Sequence, residues 1–176
     1  MDDLSLHILD IAENSLRADA TIIEIDIARE GGLLRIEIID DGRGMDAETL
    51  ARVRDPFFTT KHKKTGLGIP LLSQAAELTG GSLAMKSAPG RGTRLAASFG
   101  WDHVDRPRIG DMAETILTLI AGHPDRDYIY EERDAEGSFR FDTREIKQDL
   151  EKVPISDPAV LNAIRNLLRD NIRLKE

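Results

Sequence analysis

Residues 33–45 read Leu33-Leu34-Arg35-Ile36-Glu37-Ile38-Ile39-Asp40-Asp41-Gly42-Arg43-Gly44-Met45. Leu33–Ile39 has the apolar and polar alternation of a half-buried strand, and it stops abruptly at two carboxylates and a glycine turn. The same alternation runs through Ile22–Ala28, and Gly31-Gly32 between them is a turn, so residues 22–39 are expected to form a hairpin. Asp40 has two readings. Asp and Gly favour strand exits, which needs no ligand. A carboxylate at a strand end can also accept a hydrogen bond from an exocyclic amine such as that of adenine, while glycines let the backbone approach the base.

Outward from this stretch, residues 3–17 predict a helix with Leu4, Ile8, Ile11, Ala12 and Ser15 on its apolar face. Asp3, His7, Asp10, Asn14 and Arg17 form a polar stripe, with His7 expected beside Asp10 in solvent. Asp46–Arg52 reads as a short helix. Residues 53–65 show no periodicity and contain Pro56. Gly66–Thr79 is helical up to the stop signal Gly80-Gly81, and Ser82–Ser87 and Arg94–Phe99 are strands around Pro89-Gly90-Arg91-Gly92. The order predicts an α+β fold, a two-layer α/β sandwich with a mixed, mostly antiparallel sheet.

The composition shifts near Gly100, which divides the chain into residues 1–100 and a C-terminal α/β appendage, 101–176. Within the appendage, 111–121 is a helix, 128–133 and 138–143 are a hairpin, and 144–152 and 157–169 are helices. Leu161, Ile164, Leu167 and Leu168 stand at core spacing. Trp101, Tyr128 and Tyr130 are read as packing residues. A second arrangement has the 128–143 hairpin completing the sheet of residues 20–100.

The 176 residues carry a net charge of −8, with −3 on residues 1–100 and −5 on the rest. Neither part has the basic balance of a general nucleic-acid binder. No apolar run is long enough to span a bilayer, and no signal peptide opens the chain, so a cytoplasmic location is expected. There is no cysteine, which excludes disulfides, thiolate metal sites and cysteine nucleophiles.

Three further segments carry chemistry. Asp10 and Asn14 are one turn apart, where an amide oxygen can ligate Mg²⁺ and a carboxylate can act on a water or hydroxyl. Two polar residues on a solvated face account for the pair as simply. Thr65-Gly66-Leu67-Gly68-Ile69 opens a helix whose N–H groups suit phosphate. It follows Asp55-Pro56-Phe57-Phe58-Thr59-Thr60-Lys61-His62-Lys63-Lys64, the one local positive cluster. Gly90-Arg91-Gly92-Thr93 is a hairpin turn whose threonine can also bond a base or a water.

In this order and spacing the segments resemble the histidine-kinase-like ATPase superfamily. Asp10-Ile11-Ala12-Glu13-Asn14-Ser15 is similar to its asparagine box. Asp40–Met45 resembles the first glycine box, Asp55–Lys61 the phenylalanine box of histidine kinases, Thr65–Pro70 the second glycine box and Gly90–Thr93 the last. The resemblance covers residues 3–100 and implies the Bergerat ATP-binding fold. It implies that Asn14 holds Mg²⁺, that Asp40 binds the adenine amine with Gly42, Gly44 and Met45 supporting the contact, and that Thr93 completes the adenine end. Phe58, Thr59, Thr60 and Lys61 belong to the lid, with Lys61 on phosphate, and Thr65, Gly66, Leu67 and Gly68 meet the phosphates. Asp10 stands where gyrase-type members carry a glutamate base.

The quoted chain starts at the asparagine-box helix, with no phosphoacceptor-histidine helix before it, so a sensor kinase acting alone is not expected. His103-Val104-Asp105-Arg106-Pro107 loosely resembles a phosphoacceptor box on the wrong side of the ATPase unit, and reads more simply as a linker. Three roles follow for a protein that binds ATP or ADP with Mg²⁺. It is a kinase acting on a partner protein, an ATP-hydrolysing switch with Asp10 as base, or a nucleotide sensor whose tail binds a partner. An oligomer is compatible with each. A topoisomerase role is disfavoured, as are nucleic-acid and membrane partners.

Overall fold

The structure is a computed structural model and describes residues 3–53, 55 and 68–174. Helix α1 (Leu4–Arg17) is followed by strands β1 (Ile22–Glu30) and β2 (Leu33–Asp40). Helices α2 (Ala47–Val53) and α3 (Gly68–Leu78) precede β3 (Ser82–Ser87) and β4 (Thr93–Gly100). The remainder forms α4 (Met112–Gly122), β5 (Asp127–Asp134), β6 (Gly137–Asp142), α5 (Thr143–Leu150) and α6 (Pro158–Asn171).

The six strands make one sheet in the order β3-β4-β2-β1-β5-β6. Every pairing is antiparallel except β1 with β5, which run parallel with Ile25 opposite Tyr130. The period-two pattern sends Ile23, Ile25, Ile27, Leu34, Ile36, Ile38, Leu95, Ala97 and Phe99 to one face, where all are buried. The 128–143 hairpin therefore does join the sheet of residues 20–100. It covers the edge of β1, whose unpaired N–H and C=O groups would otherwise face solvent.

Helix α1 packs against α3 and α4. That wide contact buries His7 as well as Leu4, Ser5, Ile8, Ile11, Ala12, Ser15 and Leu16. His7, expected on the polar stripe, is 5% exposed. The correction has a simple cause: position 7 is one turn before Ile11, inside the arc closed by the neighbouring helices. Asp10, Asn14 and Arg17 remain exposed.

The start of α1 is capped by the tail. The Asp3 side chain makes no capping bond. Instead the N–H groups of Leu4 and Ser5 donate to the carbonyls of Arg108 and Ile109, each at 2.8 Å. These are first-turn donors that a helix cannot satisfy internally. Thr115 Oγ1 of α4 adds a bond to the Ser5 carbonyl at 3.2 Å.

Tyr128 and Tyr130 are core residues, 2% and 1% exposed. Tyr128 Oη donates to the Leu119 carbonyl at 3.1 Å, joining β5 to α4. Burial raises both phenol pKa values. Trp101 is partly buried, with Arg29 and Arg106 stacked at 4.1 and 4.4 Å from its ring centre. On α6, Ile164 and Leu168 are buried and Leu161 is half-buried, but Leu167 is 41% exposed. The buried pair, four residues apart, makes a narrow stripe toward α4, and Leu167 is turned about 100° away from it.

Candidate functional site

A cavity of about 340 Å³ opens between α1, the ends of β2 and β4, and the start of α3. Ile11, Ile38, Met85 and Leu95 give it apolar walls. Asn14, Ser15, Asp40, Gly44, Met45, Gly68 and Thr93 also line it. The structure thus brings together segments as far apart in sequence as Ile11 and Leu95. Phe58, Thr59, Thr60, Lys61, Thr65, Gly66 and Leu67 lie outside the described residues.

The Asp40 carboxylate is 9% exposed and accepts three hydrogen bonds. Its Oδ1 accepts from the Gly42 N–H at 2.9 Å and the Thr93 N–H at 3.2 Å. Its Oδ2 accepts from Ser15 Oγ at 2.6 Å. Three chain segments therefore hold one carboxylate, which fixes its orientation. The last of them comes from an α1 residue read as part of an apolar face. A hydroxyl in a file of Ile and Ala was the available signal, because a buried hydroxyl needs a partner.

Asp41, next in sequence, points the other way. It accepts from the N–H groups of Thr21 at 2.7 Å and Ile22 at 2.9 Å, and from the Thr21 hydroxyl. Desolvation pushes its pKa up, but the bonds from Ile22 and Thr21 outweigh it and hold the carboxyl below the usual range. Asp40 faces the cavity while Asp41 ties the end of β2 to the start of β1.

The glycine turn is packed backbone on backbone. Gly44 has φ +68, and a Cβ there would lie 1.9 Å from the Ala88 carbonyl oxygen. Gly92 has φ +70, and its Cβ would lie 1.9 Å from the Asp40 carbonyl oxygen. The Gly90 N–H donates to the Arg43 carbonyl at 2.7 Å, and the Arg43 N–H to the Ala18 carbonyl at 2.8 Å. The first and last glycine segments are thus one clasp. Met45 enters through its backbone, its N–H donating to Ser87 Oγ at 2.8 Å. Ser87 was not foreseen from the sequence.

Asn14 and the first turn of α3 also line the cavity, and Asp10 stands beside Gly68. Asp10 is exposed, and a Cβ on Gly68 would lie 3.6 Å from its Oδ2. Asn14 Oδ1 accepts from Arg17 Nη1 at 2.9 Å. His103 is far from Thr93. It follows β4, whose seven residue steps from Thr93 to Gly100 span about 23 Å. Its Nδ1 accepts from the Asp105 N–H at 3.1 Å.

A polar anchor at the end of an antiparallel sheet, an apolar slot and a helix start facing it define a nucleotide-binding α/β sandwich. Residues 2–102 match the family model of histidine kinase-, DNA gyrase B- and HSP90-like ATPases. The chain belongs to that family and contains its ATP-binding, histidine-kinase-like domain. Relatives include an uncharacterized sensor-like histidine kinase of Rhizobium meliloti, 33% identical over 44% of this chain and 16% of the relative. The sensor histidine kinase ZraS of Escherichia coli O157:H7 is 30% identical over 53% of this chain and 21% of its own. The sensor protein kinase FleS of Pseudomonas aeruginosa is 38% identical over 52% of this chain and 23% of its own. The chain thus matches less than a quarter of the length of these relatives. No helix among the described residues is long and apolar enough to cross a membrane.

Proposed function

We infer that the protein is a cytoplasmic regulatory kinase that binds Mg·ATP and gives the γ-phosphoryl to a residue on a partner protein. The observation that carries this reading is the lining of the cavity. Asp40, held by Ser15, Gly42 and Thr93, lines it together with Asn14 and Gly68, and Asp10 stands beside Gly68. Adenine bound at Asp40 sends its phosphates toward the start of α3, where the helix dipole favours an anion. Gly66, Leu67 and Lys61 lie outside the described residues, and their phosphate-binding roles rest on the resemblance of their segments to the family's second glycine box and phenylalanine box.

Asn14 suits Mg²⁺ by donor type, since its amide oxygen is a hard ligand. The described residues hold no group of three or more His, Cys, Asp or Glu that could bind a metal by themselves. That fits a cation that takes most of its ligands from phosphates and water. When bound, Mg²⁺ neutralises charge on the transferring phosphoryl group. Asn14 then orients the triphosphate, and the apolar walls keep water from the base. The sensor kinases among the relatives support transfer to protein. The span of β4 argues against His103 of the same molecule as acceptor.

One observation favours hydrolysis as a second reading. Asp10 is exposed beside Gly68, where it can accept a proton from an attacking water. Incubation with γ-labelled ATP and Mg²⁺ separates the two. The kinase reading expects Asn14-dependent label on a second protein from the source cells, unchanged by His103→Gln. Free phosphate without protein label, abolished by Asp10→Asn while ATP still binds, would establish the hydrolytic switch instead.

A further inference from the structure

Around the Asp40 side of the cavity, the protons of the described hydroxyls Ser15, Ser87 and Thr93 are already committed. Ser87 Oγ accepts from the Met45 N–H at 2.8 Å and reaches the Gly92 carbonyl at 2.9 Å and Thr93 Oγ1 at 2.9 Å. A carbonyl can only accept, so the single Ser87 proton goes to Gly92. Ser87 can then meet Thr93 only as an acceptor, and the Thr93 hydroxyl must give its proton to Ser87. Thr93 lines the cavity and turns only lone pairs into it.

The same count holds across the slot. Ser15 Oγ has two acceptors in reach, Asp40 Oδ2 at 2.6 Å and the Ile11 carbonyl at 3.2 Å. The carboxylate is nearer and ionic, so it takes the proton. Ser15 also lines the cavity with lone pairs alone. Asp40 has accepted from Gly42, Thr93 and Ser15, using three of the roughly four lone-pair sites of a carboxylate. The remaining site is the opening for a ligand donor.

We propose that Ser15 and Ser87 set the hydrogen-bond polarity of the base site. They leave Asp40, Ser15 and Thr93 facing the cavity as acceptors, so the cavity selects a purine with a 6-amino group over one with a 6-oxo group. Ser87 does this without lining the cavity; it is a positioning residue that acts through Thr93. A 6-oxo purine turns an acceptor toward three acceptors and leaves its oxygen unpaired, a costly arrangement in a site shielded from water. Removing Ser87 frees the Thr93 proton, and Thr93 can then rotate to serve a 6-oxo group. The inference rests on the base lying at Asp40.

Calorimetric titration of the whole chain with ATP and with inosine triphosphate tests it. Ser87→Ala is expected to narrow the preference for ATP by about tenfold, mainly through tighter binding of inosine triphosphate. Ser87→Thr, which keeps the hydroxyl, restores the preference, and Ser15→Ala, which frees a further Asp40 lone pair and no proton, does not narrow it. Ser87→Cys, whose thiol is a poor acceptor, replaces Ser87→Ala if that variant does not fold. An equal loss for both nucleotides would reduce the serines to structural roles and overturn the proposal. Asp40→Asn separates the two levels. If it changes the preference and Ser87→Ala does not, the serine assignment alone fails. If it leaves the preference unchanged, the base is not at Asp40 and both readings fall.

Discussion

The Arg17 guanidinium, three residues on from Asn14, donates to the Asn14 side-chain oxygen at 2.9 Å. That is the oxygen a divalent cation would use. The amide oxygen has two lone pairs, but two cations on it repel, so Arg17 opposes a hard ion at Asn14. Asn14→Ala should weaken Mg·ATP binding more than Mg-free ADP binding. Arg17→Ala should lower the Mg²⁺ concentration needed for half-maximal ATP binding, by up to about tenfold if the lost bond has ordinary strength. Titrating Mg²⁺ at fixed fluorescent ATP measures both. Equal effects of Asn14→Ala on the two nucleotides would remove the magnesium role.

The backbone clasp makes a graded prediction. Ala at Gly44 or Gly92 meets a carbonyl oxygen 1.9 Å from its Cβ, on top of a left-handed backbone. Gly80 has φ +77 and nothing within 4 Å of its Cβ, so Ala there adds backbone strain without a clash. Gly80→Ala should cost about 1 kcal/mol. Gly44→Ala and Gly92→Ala should each cost at least about 2 kcal/mol more, because the Ala88 and Asp40 carbonyls belong to the fold and cannot swing away. Urea denaturation of the three variants checks the order. Similar losses at all three positions would mean that the clasp relaxes freely.

Much of this was legible in the chain. The strand Leu33–Ile39, its end at Asp40 and the turn at Gly31-Gly32 announce themselves through a two-residue period and glycine. The 128–143 hairpin was legible as a hairpin, but its place beside β1 was not. Its partner lies about 100 residues earlier, and local pattern carries no long-range register. The same limit hid Ser15 and Ser87. Each reads locally as a small residue on a helix or strand, and only folding brings Ser15 to Asp40 and lays Ser87 opposite Thr93. His7 shows the opposite failure. A helical stripe predicts exposure only when neighbours cover one side, and α1 is covered by the sheet and by helices α3 and α4.

Asp142 predicts a pH dependence. It starts α5, accepting from the Arg144 N–H at 3.0 Å, and pairs with the Arg144 guanidinium at 2.7 Å and Arg140 at 3.2 Å. The Arg144 hydrogen bonds are the main reason its pKa lies below the ordinary value of 3.8, against the opposing effect of burial. A lowered native pKa gives stability that is present above 3.8 and lost as pH falls through the native value. Asp142→Asn should therefore cost about 1–2 kcal/mol at pH 7, discounted because both arginines are half exposed. The gap to wild type should hold between pH 7 and 5 and close below 3.8. Chemical denaturation across that range measures it. A gap that survives at pH 2 would mean that Asn loses packing or capping rather than charge.

The tail makes the last prediction. Residues 108–109 take the first two N–H groups of α1, α4 covers its flank, and β5 closes the edge of β1. Helix α1 in turn presents Asn14 and Ser15 to the site. A chain cut after residue 102 still contains the whole family match, yet it uncovers Leu4, Ile8 and the β1 edge together. Such a fragment should show no cooperative thermal transition and no ATP binding. Because a large deletion tests folding bluntly, Thr115→Val gives the finer measure. It removes only the 3.2 Å bond to the Ser5 carbonyl and should cost about 1 kcal/mol. If α1 transmits the tail's grip to the nucleotide, ATP should raise the melting temperature less in Thr115→Val than in wild type. A fragment 1–102 that melts cooperatively and binds ATP with full affinity would show instead that the ATP site holds α1 in place without the tail.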